Sequence, residues 1–224
     1  MDVARKDEYA VVVGGGDVST SLLEHIKRAS LIVAADSGAE FLLTHGVRVD
    51  VLLGDFDSCD PGVVRRVAAS GCRVVRLPVK KDVTDTEAAL ELVLAEGYSA
   101  ATMVGATGGR RTDHGIANFF LVERFARRGL DVILMGPSSV ICHVSGPGYA
   151  GIGERKLTGS PGDWVSLFPI TATVGGVTTA GLEYPLKDAV LERGATLGVS
   201  NRMLGTEAHV SVSDGFLMIV LTAE

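Results

Sequence analysis

Short apolar runs that stop abruptly at glycine or aspartate recur through residues 1–137, with helix-like stretches between them. They occupy residues 9–13, 31–35, 51–54, 74–77, 101–104 and 132–135. A strand buried on both faces reads as such an unbroken run, and strands alternating with helices predict a parallel sheet covered by helices. The ends of the runs matter as much as the runs, because open parallel sheets bind ligands outside the carboxyl ends of their strands. At those ends stand Gly14-Gly15-Gly16-Asp17, Asp36-Ser37-Gly38, Gly54-Asp55-Phe56-Asp57-Ser58 and Gly105-Ala106-Thr107-Gly108-Gly109-Arg110-Arg111.

The third of these carries the most chemistry. In extended geometry, residues two apart point the same way, so Asp55 and Asp57 are expected to present both carboxylates to one side while Phe56 packs on the other. Two carboxylates about 4 Å apart repel by roughly 4 kcal/mol at an effective dielectric of about 20. A cation must offset that repulsion, and oxygen-only ligands suit Mg²⁺ better than a soft metal. Asp36 repeats the pattern one strand earlier.

After the fourth run comes Lys80-Lys81-Asp82-Val83-Thr84-Asp85, leading into a helix whose Ala89, Leu90, Val93 and Leu94 form one apolar stripe. Asp85 reads equally as the N-cap of that helix or as a metal ligand, whereas Asp82 has no capping role to explain it. The fifth run exits into a glycine-rich loop with Arg110 and Arg111, then Asp113 and His114 at the start of a helix spanning 114–128. Free backbone N–H groups and guanidinium forks both favour phosphate oxygens. Asn118, four residues after His114, shares its helix face. A capping box is expected at Ser21-x-x-Glu24, and helices at 39–45, 62–70 and 86–96.

Beyond Gly136-Pro137 the helical period disappears. Runs at 138–144, 151–157, 164–168, 173–178, 207–212 and 216–222, separated by Gly, Pro, Ser and Asp, predict a small antiparallel β-sandwich. The fold class is thus α/β, with a parallel-sheet domain at 1–137 and the sandwich at 138–224, residues 138–148 forming the passage between them. A length of 224 residues allows two such domains.

Twenty-seven acidic against 21 basic residues give a net charge of −6, which disfavours nucleic acid or an anionic membrane as partner and makes any phosphate site local. Three scattered cysteines, with no C-x-x-C pair, suggest neither disulfides nor zinc. A charged N-terminus without a signal-like apolar stretch, and no run approaching the ~18 apolar residues of a membrane span, point to a cytoplasmic protein.

Taken together, Ala35-Asp36-Ser37-Gly38, Gly54-Asp55-Phe56-Asp57-Ser58, Lys81-Asp82-x-Thr84-Asp85, the Gly-Gly-Arg loop with Asp113-His114 and Asn118, and then Ser166-Leu167-Phe168-Pro169, Thr179-x-Gly181-Leu182-x-Tyr184-x-Leu186, Gly198-Val199-Ser200-Asn201 and Gly215-Phe216-Leu217 resemble the thiamine pyrophosphokinase family nearly end to end. The resemblance implies a nucleotide-binding α/β domain, a thiamine-binding sandwich and a homodimer with the thiamine pocket across its interface. It also implies transfer of pyrophosphate from ATP to thiamine with Mg²⁺. By position, Asp55, Asp57 and Asp85 match the metal ligands and, with Asp113, the catalytic carboxylates. Asp36, Lys81, Asp82, Gly108, Arg110, Arg111, His114 and Asn118 match the ATP and pyrophosphate side, and Tyr184, Ser200 and Asn201 the thiamine side. In the family one residue separates Gly-Gly-Arg from Asp-His; here two do, so Arg110 and Arg111 compete for one role. Two alternatives stand beside this reading: a pyrophosphokinase acting on a pterin alcohol, and a non-catalytic thiamine or nucleotide sensor. The Ser200-Asn201 and Gly181-Leu182 motifs favour thiamine over the pterin, and several costly carboxylates weigh against a sensor.

Overall fold

The computed structural model describes residues 2–3, 8–57, 59–107, 111–149 and 151–224. Two compact units emerge: residues 6–121 with 134–137 form one, and residues 122–133 with 138–224 and the strand Asp2–Val3 form the other. Helix Thr112–Ala126 and strand Asp131–Met135 are each divided between the two.

In the first unit, five strands pair in parallel in the order Ala100–Val104, Ala10–Val13, Leu31–Ala35, Val51–Gly54, Arg73–Arg76. Four of them follow the chain outward, and the fifth returns to the far side of the first. Ala10–Val13 and Ala100–Val104 therefore flank a topological switch point, where the loops leaving adjacent strands diverge. Strands Ala10–Val13, Val51–Gly54 and Ala100–Val104 are buried at every position, the condition that unbroken apolar runs meet. Helices Gly38–Thr44, Pro61–Ala69 and Asp85–Ala95 form within a residue or two of the expected bounds.

The glycines at the switch point have a steric cause. A Cβ on Gly14 would lie 2.8 Å, and one on Gly16 2.7 Å, from the Gly105 carbonyl oxygen, while the N–H groups of Gly14 and Gly16 donate to the Val104 and Gly105 carbonyls at 2.8 and 2.9 Å. Two loops thus run backbone to backbone, which no side chain permits.

Local capping differs from expectation in two places. Thr84, not Asp85, caps helix Asp85–Ala95, its hydroxyl accepting from the Glu87 N–H at 3.1 Å. The Ser21 capping box does not form: Ser19 caps a three-residue 3₁₀ turn, Thr20–Leu22, that precedes the short helix Leu23–Lys27.

The second unit holds the expected antiparallel strands in two sheets. One orders Asn201–Arg202, Trp164–Pro169, Phe216–Thr222 and Ser139–Ser145; the other orders Asp2–Val3, Glu154–Thr158, Glu207–Ser211, Thr173–Ala180 and Ala189–Glu192. The β-type run expected at 138–144 forms the strand Ser139–Ser145, with Ile141, Cys142, His143 and Val144 all buried. The strands Asp2–Val3, Ala189–Glu192 and Asn201–Arg202 carry no sequence signal; the shortest are two residues long.

His143 is fully buried in this unit, stacked on Phe216 with ring centroids 4.7 Å apart, and neither ring nitrogen has a hydrogen-bond partner. Burial pushes its pKa down to about 4, against the pull of Asp131 at 3.6 Å and with the help of the Arg155 charge. Because the folded pKa lies below the unfolded one, its contribution to stability is complete above about pH 6.5 and is lost as pH falls toward 4, by up to about 3 kcal/mol. Urea midpoints measured across that interval should fall for the wild type and stay flatter for His143→Phe; parallel pH profiles would refute the assignment.

Candidate active site

Two strand ends, one helix start and the segment ahead of that helix bring Asp36, Asp55, Asp85 and Lys81 together. The Lys81 Nζ donates to Asp55 Oδ2 at 2.8 Å and lies 3.1 Å from Asp85 Oδ1, with side-chain exposures of 13 % for the lysine, 10 % for Asp55 and 25 % for Asp85. The second contact is an ion pair without hydrogen-bond geometry, so the buried Asp85 Oδ1 accepts no hydrogen bond. Since Thr84 performs the capping, Asp85 is free to face the lysine.

The carboxylates differ in their protonation tendency. The Lys81 hydrogen bond, then the Asp57 N–H, holds Asp55 below the usual carboxylate range. Asp36 is pushed up, first by burial, against a hydrogen bond donated by the Cys59 Sγ at 3.4 Å and with repulsion from Asp85 and Asp55. Lys81 would be lowered by burial, but its hydrogen bond to Asp55 and its ion pair with Asp85 raise it. The Cys59 thiol is raised to about 12, by burial first and then by the Asp36 charge, so it remains a donor.

Asp55 and Asp57 do not extend as a strand. Phe56 adopts φ +64°, and the Asp57 N–H turns back to Asp55 Oδ1 at 3.2 Å, leaving Asp57 exposed. A left-handed Phe costs on the order of 1–3 kcal/mol and persists only where its surroundings hold it. Here Arg76 lies over the Phe56 ring at 4.9 Å and reaches within 3.5 Å of the Asp55 carbonyl. Asp36 is left-handed too, at φ +49°. Sequence reasoning missed Cys59 and Arg76: a lone cysteine and a strand-end arginine carry no motif, and only the strain at Phe56 reveals what Arg76 supports.

Beside this cluster a cleft of about 450 Å³ opens at the switch point, lined by Gly14 to Asp17, Asp36, Asp85, Arg111 and His114 among others. The first turns of helices Asp85–Ala95 and Thr112–Ala126 face it, and helix N-termini favour anions. Asn118 is buried and donates to the Ala106 carbonyl at 2.8 Å, tying its helix to the loop rather than offering its amide N–H to a ligand. Arg111 grips Asp113 through two bonds of 2.9 and 2.7 Å, holding that carboxyl well below its usual range, and both side chains are about two-thirds exposed. His114 and Asp82 are exposed. Gly108 and Arg110, like Ser58, lie outside the described residues.

In the second unit, Asn201 is buried and spent on structure: its Oδ1 accepts from the Tyr184 and Arg202 N–H groups and its Nδ2 donates to the Tyr184 carbonyl at 2.7 Å. This clamp fixes the backbone at Tyr184, whose side chain is 65 % exposed. Ser200 is exposed and left-handed at φ +63°, its N–H donating to Ser166 Oγ at 3.0 Å.

Among the described residues, no group of three or more His, Cys, Asp or Glu side chains is already arranged to hold a metal ion. The donor chemistry nonetheless fits Mg²⁺: hard carboxylate oxygens converge, and one of them is buried with no hydrogen-bond donor. Among the described residues no helix is long and apolar enough to cross a membrane.

Fold and cleft define the class: a two-unit α/β protein whose parallel sheet carries a polar, carboxylate-rich cleft at its carboxyl edge. Residues 22–134 match the family model for the catalytic domain of thiamin pyrophosphokinase, and residues 154–217 match that for its vitamin B1 binding domain. The chain belongs to the thiamin pyrophosphokinase family and is an enzyme of the transferase class. The thiamine pyrophosphokinase of Bacillus subtilis (strain 168) is 25 % identical over 217 residues, covering 95 % of this chain and 98 % of its own. A crystal structure of a Bacillus subtilis thiamine pyrophosphokinase superposes with a TM-score of 0.84 at 25 % identity, over 97 % of this chain and all of that one. That of the Geobacillus thermodenitrificans protein gives 0.81 at 28 % identity, over 96 % and 98 %. The matched vitamin B1 binding and catalytic domains favour neither the pterin alcohol nor the sensor.

Proposed function

We propose that this enzyme transfers the pyrophosphoryl group of ATP to the primary hydroxyl of thiamine. The hydroxyl oxygen forms a bond to the β-phosphorus in line with the breaking bond to the α-phosphate oxygen. AMP leaves, and the hydroxyl proton passes to a nearby base. Such transfers need positioning and charge neutralisation rather than a covalent intermediate. The cleft residues supply both: the Lys81 ammonium, the Arg111 guanidinium and two helix N-termini line or adjoin the place where a polyphosphate would lie. Asp55, Asp57 and Asp85 would hold Mg²⁺, which when bound shields the charge on the phosphates.

The single observation that carries the reading is the Asp55–Lys81–Asp85 cluster at the carboxyl edge of a parallel sheet, beside a glycine-floored switch-point cleft. Thiamine is taken by the second unit in this proposal, around Tyr184 and Ser200, and a homodimer in the cytoplasm is the form in which the enzyme works. Incubating the protein with ATP, thiamine and Mg²⁺ should yield AMP and thiamine diphosphate in equal amounts on chromatography. ADP in place of AMP, or no product, would overturn the proposal.

A further inference from the structure

Lys81 sits in the segment ahead of helix Asp85–Ala95 and directs its ammonium to the point where two carboxylates, one just past a strand end and one at the helix start, converge. The oxygens it contacts, Asp55 Oδ2 and Asp85 Oδ1, are the ones a hard divalent cation would take. We propose that Lys81 is a positioning residue that competes with the divalent cation for Asp55 and Asp85 and is released toward the polyphosphate when that cation enters, an inference that rests on the pyrophosphoryl-transfer reading.

The exclusion is electrostatic and steric. An ammonium 2.8 Å from one oxygen and 3.1 Å from the other leaves no room for a second cation on the same pair, and two cations that close repel. The grip is uneven. Asp55 Oδ2 accepts a hydrogen bond from the lysine at 2.8 Å, whereas Asp85 Oδ1 has only the longer ion pair at 3.1 Å, so exchange begins at Asp85. A lysine has a flexible four-carbon stem and three donors, which suits a group that changes partners better than a rigid guanidinium fork does.

A coupling between ligands follows. A polyphosphate in the cleft offers Lys81 another anionic partner and so lowers the cost of surrendering the carboxylates. Nucleotide should therefore tighten cation binding, and by reciprocity the cation should tighten nucleotide binding.

The test is Mn²⁺ binding to the protein, followed by the loss of the free-ion electron paramagnetic resonance signal without nucleotide. Lys81→Met should bind Mn²⁺ about tenfold tighter than the wild type, the scale of one charge-assisted hydrogen bond. A non-hydrolysable ATP analogue should tighten Mn²⁺ binding several-fold in the wild type and distinctly less in the variant. A lysine that only braces the loop would leave the Mn²⁺ affinity unchanged or weaker in Lys81→Met, and either outcome, or no binding in any form, overturns the proposal. Should Lys81→Met fail to fold, Lys81→Arg decides: it keeps the competing charge and should bind Mn²⁺ no tighter than the wild type, tighter binding being the refuting result. Wild-type protein that forms no AMP from ATP and thiamine would sink the reaction, while unchanged Mn²⁺ affinity in an active enzyme would sink the exchange alone.

Discussion

Asp55→Asn should lower turnover by about 10²- to 10³-fold, the usual loss when one preorganised charge-stabilising group is removed from an active site. The substitution is nearly isosteric but removes the charge that the Lys81 ammonium and the Asp57 N–H both address. With a neutral amide at 55, the cluster holds one negative charge fewer for the cation. The structural cost is modest because Asp85 still pairs with Lys81. A hydrogen bond to a charged group contributes about 1.5–3 kcal/mol, and in a domain of this size each kcal/mol moves the melting temperature by roughly 2–4 °C. Initial rates of AMP formation, measured beside a thermal melt, separate the two effects: full turnover would remove Asp55 from the chemistry, and a collapsed melt would show that Asp55 serves the fold instead.

How far this site is legible without coordinates depends on whether the information is local. The strand ends at Asp36 and Asp55 can be read because a doubly buried strand must be apolar along its length, and a carboxylate at its end marks where burial stops. The approach of Asp85 to Asp55 is legible only as a grouping of motifs, since nothing local predicts that Lys81 falls between them. Capping chemistry misleads at Asp85 because Thr84 and Asp85 are both good caps and the choice is set by backbone φ and ψ. The Asp55-x-Asp57 reading fails for a related reason: period two holds only while the chain stays extended, and Phe56 at φ +64° breaks it. Asn201 shows the converse. Its motif is visible, but its amide is engaged in holding Tyr184, and that work depends on a contact 17 residues away.

Asp131→Leu should destabilise the second unit by about 3–5 kcal/mol, because it strands a charge rather than merely deleting a contact. Arg155 is 4 % exposed, and its guanidinium forks onto Asp131 at 3.0 and 2.8 Å while its Nε donates to the His143 carbonyl at 3.1 Å. Leucine fills the space but takes both carboxylate bonds from the buried guanidinium, leaving its bond to the His143 carbonyl. A fall in melting temperature of about 10 °C follows at roughly 2–4 °C per kcal/mol. The chain's single tryptophan, Trp164, lies on strand Trp164–Pro169 of the same unit, so its fluorescence reports the transition directly. The double variant Asp131→Leu/Arg155→Met removes both charges and should recover most of the loss, since a buried ion pair is often replaceable by apolar groups of similar volume. Equal melting temperatures for the single and double variants would mean that the aspartate stabilises the unit through something other than neutralising Arg155.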